Sequence, residues 1–151
     1  FGLDYSYMFD YDISGILGVV NGQVVPITID AVGNRNEQNI AVPLPKWKGN
    51  FYMDWIVNDN HSGKIVVRHI DAYNDDKTLD QQFNDEIDSW TTVDLYYTFL
   101  FNQGLTSLHG NIINASDEEP PFADQDLNFD ARTHSPFGRQ YQLVLRHNFD
   151  F

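Results

Sequence analysis

Carboxylates are the commonest reactive groups in this chain, with 22 Asp and Glu against nine Lys and Arg and a formal charge of −13. Many of them gather in two stretches. Asp75, Asp76, Asp80, Asp85, Glu86 and Asp88 form one; Asp117, Glu118, Glu119, Asp124, Asp126 and Asp130 form the other. Such clusters hold divalent cations or a cationic ligand, or simply keep loops solvated. Asp124, Asp126, Asn128 and Asp130 offer oxygen ligands at alternate positions, as a calcium loop does. Yet Phe129 stands where that loop needs glycine, and Ser135 where it needs a bidentate glutamate. The histidines (His61, His69, His109, His134 and His147) show no HExxH or related spacing. No GxSxG elbow or phosphate loop occurs, and nothing singles out a nucleophile. With no cysteine, thiolate metal sites and disulfides are excluded. The residue types therefore predict no catalytic centre, no metal and no cofactor, and the acidic balance disfavours a nucleic-acid partner.

The side chains that could bind something are better found through the elements that carry them. Tyr141, Leu143, Leu145, His147, Phe149 and Phe151 share one parity; Gln140, Gln142, Val144, Arg146, Asn148 and Asp150 share the other. A period of two is the mark of a β-strand, whose successive side chains point to opposite faces. The same pattern predicts six strands. They run from Leu3 to Ile13, Trp47 to Val57, Lys64 to Tyr73, Trp90 to Phe101 and Leu105 to Asn114, and then through the C-terminal stretch. In each clear case one face is apolar and aromatic and the other polar, which suits a wall between lipid and water. No stretch approaches the ~18 apolar residues of a membrane helix, whereas a membrane strand needs only ~9–11. Tyr and Phe are abundant, with eight and eleven copies, as interfacial aromatic girdles require.

Connections fall into two classes. Residues 58–63 and Asn102-Gln103-Gly104 are short and rich in turn formers. Ser14 to Lys46, Asn74 to Ser89 and Ala115 to Arg139 are long, and short alternates with long along the chain. In an up-and-down barrel this sorts all short turns to one end and all long loops to the other. The expected fold is therefore all-β: an antiparallel, up-and-down transmembrane β-barrel. The chain would supply its last six or so strands, a partial barrel or open curved sheet spanning 1–151 as one domain. By alternation Asn50, Tyr52, Asp54, Asp94, Tyr96, Thr98, Gln142, Arg146 and Asn148 would face the lumen.

Several stretches resemble one family, the C-terminal barrel segment of TonB-dependent outer-membrane receptors. They are Pro43-Leu44-Pro45-Lys46-Trp47-Lys48-Gly49-Asn50, His69-Ile70-Asp71-Ala72-Tyr73 and Ile87-Asp88-Ser89-Trp90-Thr91-Thr92-Val93-Asp94. Further matches are Asn114 followed by Asp117-Glu118-Glu119-Pro120-Pro121-Phe122, and Thr133-His134-Ser135-Pro136-Phe137-Gly138-Arg139 before the last strand. The chain departs from the pattern at Ala115-Ser116, where an aliphatic–aromatic pair is usual.

The resemblance implies a barrel of about 22 strands with a plugged lumen, of which the plug, the TonB-contacting segment and the earlier strands lie outside this chain. It implies TonB-energised uptake of a scarce nutrient, whether siderophore, cobalamin, oligosaccharide or peptide. The setting would be the outer membrane of a Gram-negative bacterium, with the C-terminus periplasmic and the long loops extracellular. Partners would be the nutrient, the TonB complex through the missing N-terminal part, outer-membrane lipid and the barrel assembly machinery. Tyr141, Leu143, Leu145, Phe149 and Phe151 would form the assembly signal. Trp90, Asp94, Tyr96, Phe122 and Phe129 are the candidate ligand contacts. Two other functions fit the residues: a passive porin, and a soluble all-β carbohydrate-binding module whose apolar faces would converge on one core.

Overall fold

In a computed structural model the chain is described over residues 1–36, 41–75 and 86–149. Phe151 of the expected assembly signal, Asp150, and Asp76, Asp80 and Asp85 of the first acidic stretch lie outside the described residues. The described chain is all-β, with no helix. In order, its strands are β1 (Gly2–Tyr7), β2 (Asp12–Val20), β3 (Gln23–Asp30), β4 (Trp47–Asn58) and β5 (His61–Ile70). There follow β6 (Tyr73–Asn74), β7 (Glu86–Ile87), β8 (Trp90–Phe101), β9 (Thr106–Ile113) and β10 (Gln140–His147). Six of them make one sheet in the order β1-β4-β5-β8-β9-β10, and every pairing is antiparallel. The sheet is not closed into a barrel: β1 and β10 are its two edges.

The register keeps each parity on one side across all six strands. Directly opposed residues of an antiparallel pair share a face. One side therefore runs Leu3–Phe51–Val67–Val93, then Met53–Ile65–Leu95–Ile112–Tyr141, then Trp55–Gly63–Tyr97–Gly110–Leu143. The other runs Asp4–Asn50–Arg68–Thr92, then Asp54–Lys64–Tyr96–Asn111–Gln142, then Ser62–Thr98–His109–Val144. The first face is apolar and the second polar. Trp55 lies across Gly63, where any Cβ would collide with the indole, so a bare backbone is required for that ring to lie flat on the sheet.

The ends of the sheet differ as the loop lengths predict. Asp59 and Asn60 join β4 to β5, and residues 102–105 join β8 to β9, both at one end. Asn102, Gln103 and Gly104 all take positive φ there, at 52°, 55° and 87°, a conformation that Asn and Gly adopt most readily. Residues 8–46, 71–89 and 114–139 connect strands at the opposite end.

The first expected strand, Leu3 to Ile13, is corrected: β1 ends at Tyr7. Its alternation continues through Phe9 and Tyr11, but the β1–β4 pairing stops at Tyr7↔Trp47, beyond which Met8 N donates to Lys46 O at 2.9 Å. The chain then forms a second sheet, the β2–β3 hairpin, inside what reads as a featureless loop. Asn21 and Gly22 turn that hairpin with φ of 52° and 78°, the left-handed pair that matches strand twist. The third strand is shifted as well. It starts at His61 rather than Lys64 and stops at Ile70, because Tyr73 and Asn74 leave to pair with Ile87 and Glu86.

Burial is inverted relative to an ordinary sheet protein. The buried apolar side chains among the described residues are Ala31, Tyr73, Ile87 and Ala123, all at the long-loop end. Beside them lie buried Arg35, Asn36, Asp75, Asp130 and His134. The large apolar residues are outside, with Leu143 74% exposed and Met53 42%.

Candidate functional site

The long loops converge on one network. Asn34 sits at its centre: Leu44 N donates to Asn34 O at 3.0 Å, and Asn74 Nδ2 donates to Asn34 Oδ1 at 3.1 Å. Asn74 N donates to Gly33 O at 2.8 Å, and Arg35 N to Asn74 O at 2.9 Å. Two backbone bonds thus clip the first loop to the second. Asn36, with φ of 60°, turns its amide inward to Ala31 O at 3.0 Å and Val42 O at 2.8 Å. That left-handed turn is one Asn tolerates because its short side chain can bond locally.

These clips place Arg35 against Asp75, Nη2 to Oδ1 at 2.8 Å, with both side chains almost wholly buried at 0% and 1%. Asp75 Oδ2 also accepts Asp124 N from the third loop at 3.0 Å, and Arg132 Nη2 returns to Arg35 O at 3.1 Å. Asp130 is the second buried carboxylate. It accepts the Tyr73 hydroxyl at 2.8 Å, the Thr133 hydroxyl at 3.0 Å and Arg132 N at 3.0 Å. Burial, opposed in part by the Thr133 hydrogen bond, raises the Tyr73 pKa, so the phenol stays protonated and donates.

His134 completes the site. Its ring stacks on Tyr73 at 6.0 Å and meets Trp90 edge-on at 5.4 Å. Neither ring nitrogen has a hydrogen-bond partner among the described residues, and burial lowers its pKa despite nearby Asp130. The imidazole is accordingly neutral near pH 7. Arg35 Nε and Nη1 and the Trp90 indole nitrogen likewise find no acceptor among the described residues.

The site joins the polar face through Asp94. That carboxylate, 1% exposed, meets the Arg68 guanidinium and accepts Asn114 N at 2.9 Å and the Tyr96 hydroxyl at 3.1 Å. Trp90, Asp94 and Tyr96 therefore line one row of β8 on the polar face, and the first caps it beneath the loops. Asp94 is occupied on both oxygens by these structural donors. Phe122 and Phe129 lie apart in the third loop, flanking a turn in which Ala123 N donates to Asn128 O at 3.1 Å. Phe122 is 47% exposed and Phe129 half-buried. An open cleft of about 420 Å³ lies on the polar face, with Lys48, Asn50, Arg68 and Trp90 in its wall.

Of the expected assembly signal, Tyr141, Leu143 and Leu145 lie on the apolar face of edge strand β10. Phe149 follows the strand and packs edge-on against His147 at 4.6 Å. The four oxygen-bearing residues of the calcium-like stretch do not converge. Asp130 is buried in the loop network and Asp126 exposed. A different trio, Asp10, Asp12 and Asp30, gathers its carboxylates within 4.8 Å at the base of the β2–β3 hairpin, all three exposed. Arg35 carries no signal in the sequence, Tyr73 and His134 stand in the motif stretches without an assigned role, and Trp90, Asp94 and Tyr96 are the members of this constellation expected to contact a ligand.

Neither a protein-family model, nor a curated protein, nor a solved structure matches this chain.

Proposed function

We propose that this chain is part of the wall of an outer-membrane β-barrel, of the TonB-dependent uptake type that its motifs resemble. In this reading the apolar face meets lipid, the polar face lines a wet interior, and the joined long loops stand at the extracellular mouth. The observation that carries it is the two-sidedness of the six-stranded sheet, one face apolar and the other mostly polar. An apolar face that is exposed on β1, β4 and β10 and half-buried on most of β5, β8 and β9 exceeds what a free-standing soluble domain normally shows to water.

Dimensions support the same reading. β5 holds ten residues, about 33 Å at ~3.3 Å each. Tilted by ~35–45°, it would cross roughly 25 Å, the height of a barrel's apolar band. Aromatic and histidine rings cap the face at both ends. Trp47 stacks on His69 at 4.3 Å near the loops, and His61 on Phe99 at 4.7 Å near the turns. The open edges β1 and β10 call for further strands, since unpaired backbone in hydrocarbon costs several kcal/mol per group. Active uptake rather than passive diffusion rests on the resemblance alone, and the porin differs by lacking a plug. In a soluble carbohydrate-binding sandwich a second layer would cover the apolar face. Among the described residues no element does.

The three tryptophans provide the test, because Trp47 and Trp55 lie on the apolar face and Trp90 on the polar one. Single-tryptophan variants in vesicles made with brominated lipid should show strong quenching of Trp55 and Trp47 and little of Trp90. Equal, weak quenching of all three would rule the reading out.

A further inference from the structure

Charge on the polar face runs against the rest of the chain. Within the six strands its cations are Lys48, Lys64, Arg68 and Arg146, and its carboxylates Asp4, Asp54 and Asp94. Four minus three is +1, so the remaining residues carry −14 of the chain's −13 total. The acidic groups stand at the loops, and the wall beneath them is slightly basic.

Two of the four cations are already engaged. Arg68 pairs with Asp94; Lys64 lies 3.7 Å from Asp54 and 4.8 Å above the Tyr52 ring. Arg146 forms no ion pair among the described residues. It borders a cleft of about 600 Å³ on the polar face, toward the short-turn end. Across the floor runs the row Ser62–Thr98–His109. Thr98 Oγ1 and Ser107 Oγ hold the two ring nitrogens of His109, each at 3.0 Å, which fixes the imidazole in the wall. Asn111 shares the row of Lys64 and Tyr96 while Arg146 stands opposite Ser107 nearer the short turns, and the Asn111 amide donates to Gln142 at 2.8 Å.

We propose that this cleft binds a small hydroxylated solute carrying one acidic group, a sugar phosphate or sugar acid. Arg146 supplies a planar fork matched to phosphate or carboxylate oxygens. At the far end Asp54 offsets Lys64, so that end takes a neutral body, and Ser62, Thr98 and Asn111 present hydroxyl and amide groups to it. A doubly charged solute long enough to span the cleft would be repelled by Asp54. The inference rests on the reading of the polar face as a wet lumen wall and names the class of solute that wall accommodates.

Titration calorimetry of the complete barrel that contains this chain, in detergent micelles, tests it with glucose 6-phosphate as probe and glucose as control. The wild type should bind the phosphate saturably and glucose far more weakly. R146Q should weaken binding by about tenfold, the worth of one charge-assisted hydrogen bond. R146K should lose less, and D54N should bind at least as tightly as wild type. Equal affinity for glucose, or unchanged affinity in R146Q, overturns the proposal. Bromolipid quenching of Trp55 in the same protein, transferred to brominated-lipid vesicles, keeps the two readings separate. Quenching without R146-dependent binding leaves the membrane wall and removes the anion site. Binding without quenching does the reverse.

Discussion

The loop network and the apolar face of the sheet are built from opposite materials, and each is where the other would be expected. The loops, which ordinarily lie in water, bury Arg35, Asp75, Asp130 and His134 at 4% exposure or less. The sheet, which ordinarily hides its apolar side, leaves Leu3, Leu143 and Leu145 at 64% or more. A buried charge is tolerable only when paired and hydrogen-bonded; Asp75 meets that condition through Arg35 and Asp124 N, while Arg35 meets it at the ion pair alone, its Nε and Nη1 lacking an acceptor among the described residues. An exposed apolar face is tolerable only when something other than water covers it. One end of the molecule thus supplies its own partners, and the flank of the sheet depends on its surroundings.

That contrast is broken most forcefully at Asp75. Asp75→Ala strands the Arg35 guanidinium in a buried site and removes the acceptor of Asp124 N. Deleting one member of a buried pair typically costs about 3–5 kcal/mol. Hydrogen exchange should show the backbone bonds of Gly33, Arg35 and Asn74 opening together, in lipid and in detergent alike, while amides of β5 and β8 keep their protection. If β5 and β8 loosened equally, the loops and the sheet would be one cooperative unit and the contrast would fall.

The reverse experiment is Met53→Arg, on the apolar face opposite Ile65 of β5 and just past Tyr52, where the β1 pairing ends at Gly2. Met53 is 42% exposed, and a surface substitution in water usually changes stability by no more than about 0.5 kcal/mol. On the lipid side of a barrel an arginine near the bilayer midplane costs about 2–4 kcal/mol. Denaturant unfolding in vesicles should show that larger loss, with the loop network unchanged. A loss within the surface range would mean that lipid does not cover this face.

The two regions also differ in how far the sequence discloses them. Four of the six sheet strands, β1, β4, β8 and β10, are legible because a residue's face depends only on its parity; β5 and β9 alternate less clearly. Trp47, Phe51, Met53 and Trp55 fix β4 without knowledge of its neighbours. The end of β1 was misplaced because parity says nothing about where a partner stops. The β2–β3 hairpin escaped for a different reason. Ile16-Leu17-Gly18-Val19-Val20 and Val24-Val25-Pro26-Ile27 are continuous apolar runs with no alternation, which leaves Asn21-Gly22 as the sole signal. The loop network escaped altogether. Tyr73 meets Asp130 across 57 positions and Arg132 meets Arg35 across 97, so each pair becomes visible only once the sheet has brought the loop bases together.

The finest division between the regions is by pH, and it turns on His134. Because burial holds its folded-state pKa below the usual 6.5, the unfolded chain binds a proton that the folded loops refuse within that window. Stability therefore rises with pH where the unfolded state holds more protons. The contribution is complete above 6.5 and is lost as pH falls toward the depressed value. Loop amides should exchange relatively faster at pH 5.5 than at pH 7.5 once intrinsic chemistry is corrected, and those of β4 and β5 should not. His134→Phe keeps a flat ring between Tyr73 and Trp90 and sacrifices no hydrogen bond among the described residues, since neither ring nitrogen makes one. It should flatten the acid sensitivity while leaving exchange at pH 7.5 close to wild type, the smallest change of the three. An undiminished pH response in that variant would move the sensitivity away from His134.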